Sequence, residues 1–459
     1  MRRWLPKSMA RGDAQLTVVY VGVSVVACLL VMMLWAADHH AVDPHACQSV
    51  CDQQLALQTN LRKDNHLLEC PKCAACPQCP ACNDAQSKSW FSAHETENAA
   101  HDVSANILKA ARAYRAAQAL TPPTLEAAVE AYRQKHYEFM QTGSKTERVI
   151  IYQAGENDGY GNRLPGLVTA FIWALLDDRV LLVEWRDDKV MMPEPAPFHE
   201  LFSPRIGQFD VDEVEHMERY LKTAPVLNGR TIWEQMSEDD LGEAFPQRVI
   251  KFHSDDWLFP LLQGNPHYAA RVRQLFPQGR AFAHVAKYLM PLGPKLQAKF
   301  DAFTREHLQG NIIGLHLRLQ KVMPDDKGVK RFRAPGPSTF FDAARMLQLG
   351  RGMADNATVF YVATETASAV AAAREWFGER GLRVVFLDDM FPMKRKDHRD
   401  AERGSAEALH NAIVEMRLLA EADEMVGTFA SSYSYSASAW GNIIPYYIMP
   451  DRSYWYAGV

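Results

Sequence analysis

His316 and Arg318 stand two residues apart in the run Ile312-Ile313-Gly314-Leu315-His316-Leu317-Arg318. The run is otherwise apolar, as expected of a parallel strand covered by helices on both faces. The two-residue period of a strand puts imidazole and guanidinium on one face. A buried cation there is costly unless something anionic meets it. In open α/β sheets that ligand sits beyond the carboxyl ends of the strands. The spacing therefore points to a bound anion, for which the diphosphate of a sugar nucleotide is the natural candidate. The rival arrangement pairs Arg318 with a carboxylate of the core.

Three more polar segments fall where a strand gives way to a helix. In Gly159-Tyr160-Gly161-Asn162-Arg163, two glycines permit a tight turn whose amides, with the helix N-terminus, cradle an anion or sugar. In Tyr361-Val362-Ala363-Thr364-Glu365-Thr366, Thr364 or Thr366 suits a helix cap, and Glu365 can accept hydrogen bonds from a base or ribose. In Gly427-Thr428-Phe429-Ala430-Ser431-Ser432, small hydroxylated residues open a helix, as phosphate sites require. An ordinary turn and ordinary caps are the alternatives. Asp325 and Asp326, in the loop after Arg318, are candidates for a general base. Asp210-Val211-Asp212 is the one Asp-x-Asp triplet, and its surroundings, FDVDEVEHMERY, suit an acidic helix face better than a metal clamp. No metal site is expected.

Alternating strands and helices must position these groups. From residue 311 onward the pattern reads strand 311–318, helix 339–349, strand 358–363, helix 366–377, strand 382–387, helix 402–422, strand 424–428, helix 432–440 and strand 443–448. Such alternation predicts a doubly wound parallel sheet. Upstream, strands 148–153 and 179–185 flank a helix over 163–177, and 186–285 reads as irregular with short helices. A helix over 287–309 bridges the lobes. Helices over 97–119 and 124–140 precede them, with Thr124 as N-cap and Leu125, Ala128, Val129, Tyr132 and Tyr137 on the packing face.

The N-terminal part is of another kind. Leu16 to Ala36 carries no charge, is long enough to span a bilayer, and follows Arg2, Arg3, Lys7 and Arg11 with only Asp13 against them. The positive-inside rule leaves residues 1–15 in the cytosol and the rest outside it, an uncleaved anchor rather than a signal peptide. All eight cysteines precede residue 83, five of them in CPKCAACPQCPAC. That spacing lacks the separated pairs that wrap a tetrahedral metal, and its prolines favour an extended stalk. In an oxidising lumen, disulfides between two stalks follow. Asn356-Ala357-Thr358 is a glycosylation sequon. The net charge of -5 gives no basic footprint for nucleic acid.

The run GYGNRLPGLVTAFIWALLDDRVLLVEW resembles the first luminal segment of plant xyloglucan-type fucosyltransferases, and LEAAVEAYRQKHYEFMQTG is similar to the helix just upstream of it. GLHLRLQK resembles the His-x-Arg segment shared by α1,2-, α1,6- and protein O-fucosyltransferases. YVATETASAV and MVGTFASSYSYSA resemble that superfamily's later nucleotide-binding segments. Departures are Leu319, Gln320 and Lys321 where a second Arg and an Asp often follow, and Glu365 where Asp is common. The resemblance implies an α/β fold of two Rossmann-like (GT-B-like) lobes with parallel sheets, preceded by a transmembrane helix and a Cys-rich stalk. Its expected divisions are an anchor at 16–36, a stalk at 37–90, a helical stem at 91–142, an acceptor-side lobe at 143–286 and a GDP-sugar lobe at 287–459. It implies inverting, metal-independent transfer from GDP-fucose to a glycan, α1,2 to galactose, with α1,6 transfer or transfer from another GDP-sugar as the alternative, in a type II Golgi membrane protein. A luminal nucleotide- or glycan-binding protein without turnover is the non-enzymatic rival. Arg318 and His316 would stabilise the departing diphosphate. Gly159, Gly161, Asn162, Arg163, Thr364, Glu365, Thr428, Ser431 and Ser432 would bind the donor.

Overall fold

A computed structural model describes residues 121–155, 159–185, 197–207, 209–211, 214, 217–319, 334–393, 405–449 and 454–456. The membrane segment, the cysteines, the helix expected at 97–119, Asp325, Asp326 and Asp212 lie outside the described residues. Among the described residues no helix is long and apolar enough to cross a membrane.

The chain builds two sheets. The first contains β1 (Val149–Gln153), β2 (Val180–Glu184), β3 (Val226–Asn228) and β4 (Val249–His253), in the order β2-β1-β4-β3 and parallel throughout. The second contains β5 (Asn311–Leu317), β6 (Thr358–Thr364), β7 (Arg383–Val385), β8 (Glu424–Thr428), β9 (Tyr446–Ile448) and β10 (Tyr454–Tyr456), in the order β10-β9-β8-β5-β6-β7. Only its β10–β9 pair is antiparallel. The α/β class with parallel sheets is thus the observed one. From β5 the chain proceeds outward through β6 and β7, then returns to the other side of β5 for β8. That reversal makes the carboxyl edge between β5 and β8 the crevice where such sheets take ligands.

The longer helices are α1 (Pro123–Thr142), α2 (Tyr160–Leu176), α3 (Ala281–Leu289), α4 (Pro294–His307), α5 (Pro337–Gly350), α6 (Ala367–Gly378), α7 (Ala406–Leu419) and α8 (Ser432–Gly441). Strand alternation sorts their contacts. Ile313, Leu315 and Leu317 of β5 pack with Phe340 and Phe341 of α5 and Phe377 of α6. The opposite face, with Ile312, Tyr361 and Met425, belongs to a core that runs on through α2, α7 and α8 to Ile150, Tyr152 and Phe252 of the first sheet. The two sheets therefore share one apolar interior, into which His316 faces.

Several elements differ from their sequence-based outlines. α2 begins at Tyr160 rather than Arg163, so Gly161 and Asn162 are helical. The region 186–285 contains β3 and β4, too short and too mixed for their period to stand out. The single helix expected over 287–309 is two, broken between Met290 and Gly293. Thr124 is not the cap of α1. Pro122 holds that place, and the Thr124 hydroxyl donates to the Gln274 carbonyl at 2.7 Å. Tyr137 is exposed, while His136 and Phe139 fill the packing face instead.

Candidate active site

Arg318 follows the last residue of β5 and is half-buried at the carboxyl edge. A threonine from each neighbouring strand pins that edge. Thr428 Oγ1 accepts from the Arg318 amide at 2.9 Å and donates to the His316 carbonyl at 3.2 Å. Thr364 Oγ1 donates to the Leu317 carbonyl at 2.9 Å and accepts from the Thr366 amide at 3.3 Å. Both hydroxyls, expected to bind the donor, are engaged in holding the strand end. Among the described residues no carboxylate forms an ion pair with the Arg318 guanidinium, so the core-paired arrangement finds no partner there.

His316 is 7% exposed. Its Nδ1 lies 2.6 Å from Ser434 Oγ, and its ring stacks on Tyr433 with centroids 4.7 Å apart. Burial, with the Arg318 charge added, pushes the imidazole down to about 3, so it is neutral at ordinary pH. The Tyr433 hydroxyl donates to the Ala412 carbonyl at 2.5 Å, which moors that ring to α7.

Two helix N-termini face the same edge. Thr366 and Ser431 are the N-caps of α6 and α8, yet neither hydroxyl makes a capping hydrogen bond. Both residues are buried, at 7% and 6% exposure, and among the described residues neither hydroxyl has a partner. Buried hydroxyls without partners at positively polarised helix ends are suited to an anionic ligand. Ala430, just before Ser431, has φ of 58°, a left-handed conformation unusual for a side chain with Cβ. Strain of this kind is found where a turn must aim a group at a ligand. Ser432 is half-buried in the first turn of α8, and Glu365 is half-buried between Thr364 and Thr366.

The glycine segment has a different part to play. Gly159 is exposed, and a Cβ added there would meet nothing within 4 Å. A Cβ on Gly161 would come within 2.5 Å of the Tyr433 backbone nitrogen and 2.7 Å of Ser432 C. Gly161 is where α2 lies directly on the start of α8. Pro165, one turn later, has no N–H to offer the Gly161 carbonyl. Ser436 Oγ of α8 donates to that carbonyl instead, at 2.9 Å. Asn162 is half-buried; Arg163 is fully buried, with its guanidinium 5.1 Å over the Trp185 ring. The spacing thus brings Gly161 to the His316 neighbourhood through Tyr433, while Arg163 stands with the first sheet.

Ser434 and Ser436 escaped the sequence-based list. The alternation in Ser431-Ser432-Tyr433-Ser434-Tyr435-Ser436 was the available signal, since serines have no reason to be buried in a core without partners. Asp210 lies 3.2 Å from His199 Nδ1, and among the described residues no cluster of His, Cys, Asp and Glu is placed to hold a metal. Asn356 is exposed in a short turn, Asp355–Ala357.

Residues 79–240 match the family model described as xyloglucan fucosyltransferase. Probable fucosyltransferase 7 of Arabidopsis thaliana is 29% identical over 157 residues, 28% of this chain and 30% of that protein. The galactoside 2-alpha-L-fucosyltransferase of Pisum sativum is 28% identical over 156 residues, 29% of this chain and 28% of that protein. The chain thus aligns with under a third of the length of these two relatives. The solved structure of a mutant of Arabidopsis thaliana FUT1 in complex with GDP superposes with a TM-score of 0.52 at 16% identity, covering 73% of this chain and 82% of that one, a likeness of fold. The family match stops short of Arg318, so the second sheet's site stands on its own geometry. Over residues 79–240 the chain is thus similar to the xyloglucan fucosyltransferases, the family that the GYGNRLPGLV segment resembles.

Proposed function

We propose that this chain is an inverting fucosyltransferase that moves fucose from GDP-fucose to a galactosyl residue of a glycan in α1,2 linkage. The observation that carries the reading is the cation at the carboxyl edge of β5, flanked by two helix N-termini whose cap hydroxyls are unused. In the transfer an acceptor hydroxyl attacks the anomeric carbon, the bond from that carbon to the phosphate oxygen breaks, and GDP leaves with the electron pair. Negative charge therefore grows on the β-phosphate. Arg318 meets it with a two-pronged donor, and the Ser431 and Thr366 hydroxyls with the first-turn amides of α6 and α8 add fixed dipoles. Fixed dipoles are the advantage, because donors already in place need no reorganisation during the reaction. No step calls for a metal. Asp325 or Asp326 takes the acceptor proton. The galactosyl assignment is supported by the name of the Pisum sativum relative.

In this reading residues 16–36 hold the protein in the Golgi membrane with the catalytic part in the lumen. The cysteine stalk joins two copies, and Asn356 carries a glycan. The decisive assay is GDP release from GDP-fucose with a panel of galactosyl and N-glycan acceptors in the presence of EDTA. Turnover on galactosyl acceptors is expected, and Arg318→Ala should lower kcat at least about a hundredfold. Wild-type rates in that variant would refute the mechanism, and loss of activity in EDTA would refute metal independence.

A further inference from the structure

We propose that Ser434 is a positioning residue that fixes His316 in one tautomer, making the imidazole a hydrogen-bond donor at Nε2 rather than a base. The proposal rests on the donor-site reading only for what the Nε2 proton then does. Ser434 is fully buried, and among the described residues its hydroxyl oxygen has two polar partners. The Thr428 amide donates to it at 3.2 Å, and His316 Nδ1 lies 2.6 Å away. With Oγ already accepting the amide proton, its own hydrogen has one acceptor in reach among the described residues, the lone pair of Nδ1. The opposite arrangement, Nδ1–H donating to Oγ, would leave a buried hydroxyl hydrogen with no acceptor among the described residues. The ring is neutral, so assigning Nδ1 as acceptor places the proton on Nε2. Stacking on Tyr433 stops the ring from turning over, and Tyr433 is itself moored to α7.

The consequence is a division of labour. Nε2–H donates to an oxygen of the ligand's diphosphate beside the Arg318 fork, and His316 is excluded as the group that deprotonates the acceptor. The same Ser434 oxygen ties the start of α8 to Thr428 at the end of β8, so helix and imidazole move together.

The test is nitrogen-15 spectroscopy of the full chain labelled at histidine, with the His316 signals identified by their loss in His316→Gln. Nδ1 should appear as the unprotonated ring nitrogen and Nε2 as the protonated one, and adding GDP should shift Nε2. The reverse pattern in the wild-type protein would overturn the proposal. Ser434→Ala should give a mixture of tautomers and lower kcat by on the order of tenfold to a hundredfold, the usual cost of removing an orienting partner. Ser434→Thr, which restores the hydroxyl, should restore the single tautomer. A single unchanged tautomer in Ser434→Ala would overturn it too, whatever the variant's stability. If GDP left every signal in place while the tautomer was as assigned, the donor-site reading would fail and the Ser434 assignment would stand.

Discussion

Two threonines decide how firmly Arg318 is held, because its guanidinium can meet a phosphate reproducibly only if its backbone does not move. Thr428 takes the Arg318 amide and returns its own proton to the His316 carbonyl. Thr428→Val keeps the shape and removes both bonds. It should destabilise the protein by about 1–3 kcal/mol, the cost of stranding a buried polar group. In GDP-release kinetics it should lower kcat more than it raises the KM for donor. An unchanged kcat would mean that the pinned strand end has no part in catalysis. Thr364, bonded to the Leu317 carbonyl, plays the matching role from β6.

At the scale of elements, the joint between α2 and α8 carries the most weight. Helix axes approach this closely only where a side chain is missing, and Gly161 supplies the gap against the Ser432–Tyr433 backbone. Because the opposing atoms are backbone, they cannot swing aside. Gly161→Ala should cost about 1–3 kcal/mol in urea unfolding, as overpacking does. It should also disturb the Tyr433–His316 stack. Gly159→Ala, two residues earlier with open space around it, should be nearly neutral. Equal effects of the two substitutions would contradict the packing assignment. Pro165 and Ser436 complete the joint: a carbonyl that the proline leaves without its helical donor is met by a hydroxyl from the other helix.

Across the whole molecule, buried neutral histidines set the response to acid. Burial pushes His136 and His284 down to about 4 and His316 to about 3, against an ordinary value near 6.5. Between those values the unfolded chain binds protons that the folded one refuses. Stability must therefore fall as pH drops below about 6.5, by up to roughly 1.4 kcal/mol per pH unit for each histidine. The urea midpoint should decline steadily from pH 6.5 to 5 at constant ionic strength, and His136→Gln should flatten that slope. A midpoint that held constant down to pH 5 would rule out this origin of acid sensitivity. The shared interior makes the response global, since both sheets pack on the core that contains α2, α7 and α8.

The sequence by itself determined the alternating α/β pattern, the apolar run of β5 and the placing of His316 and Arg318 on one face at its end. Those are local properties: a two-residue period and a chain of strand-to-helix transitions are written in neighbouring residues. It also brought Ser431 forward, because a helix start is local too. Missing were β3 and β4, whose few residues show no period, and the true start of α2, since glycines within a first turn look like a loop. Only the tertiary structure decided which polar groups brace the strand end and which, among the described residues, are left without a partner. Thr364 and Thr428 turned out to hold the strand end, Gly161 to let two helices meet, and Ser434 and Ser436 to bond across the fold. The partners of those two serines lie 118 and 275 residues away along the chain. A hydroxyl's partner over such a span is set by packing, and no pattern of nearby residues encodes it.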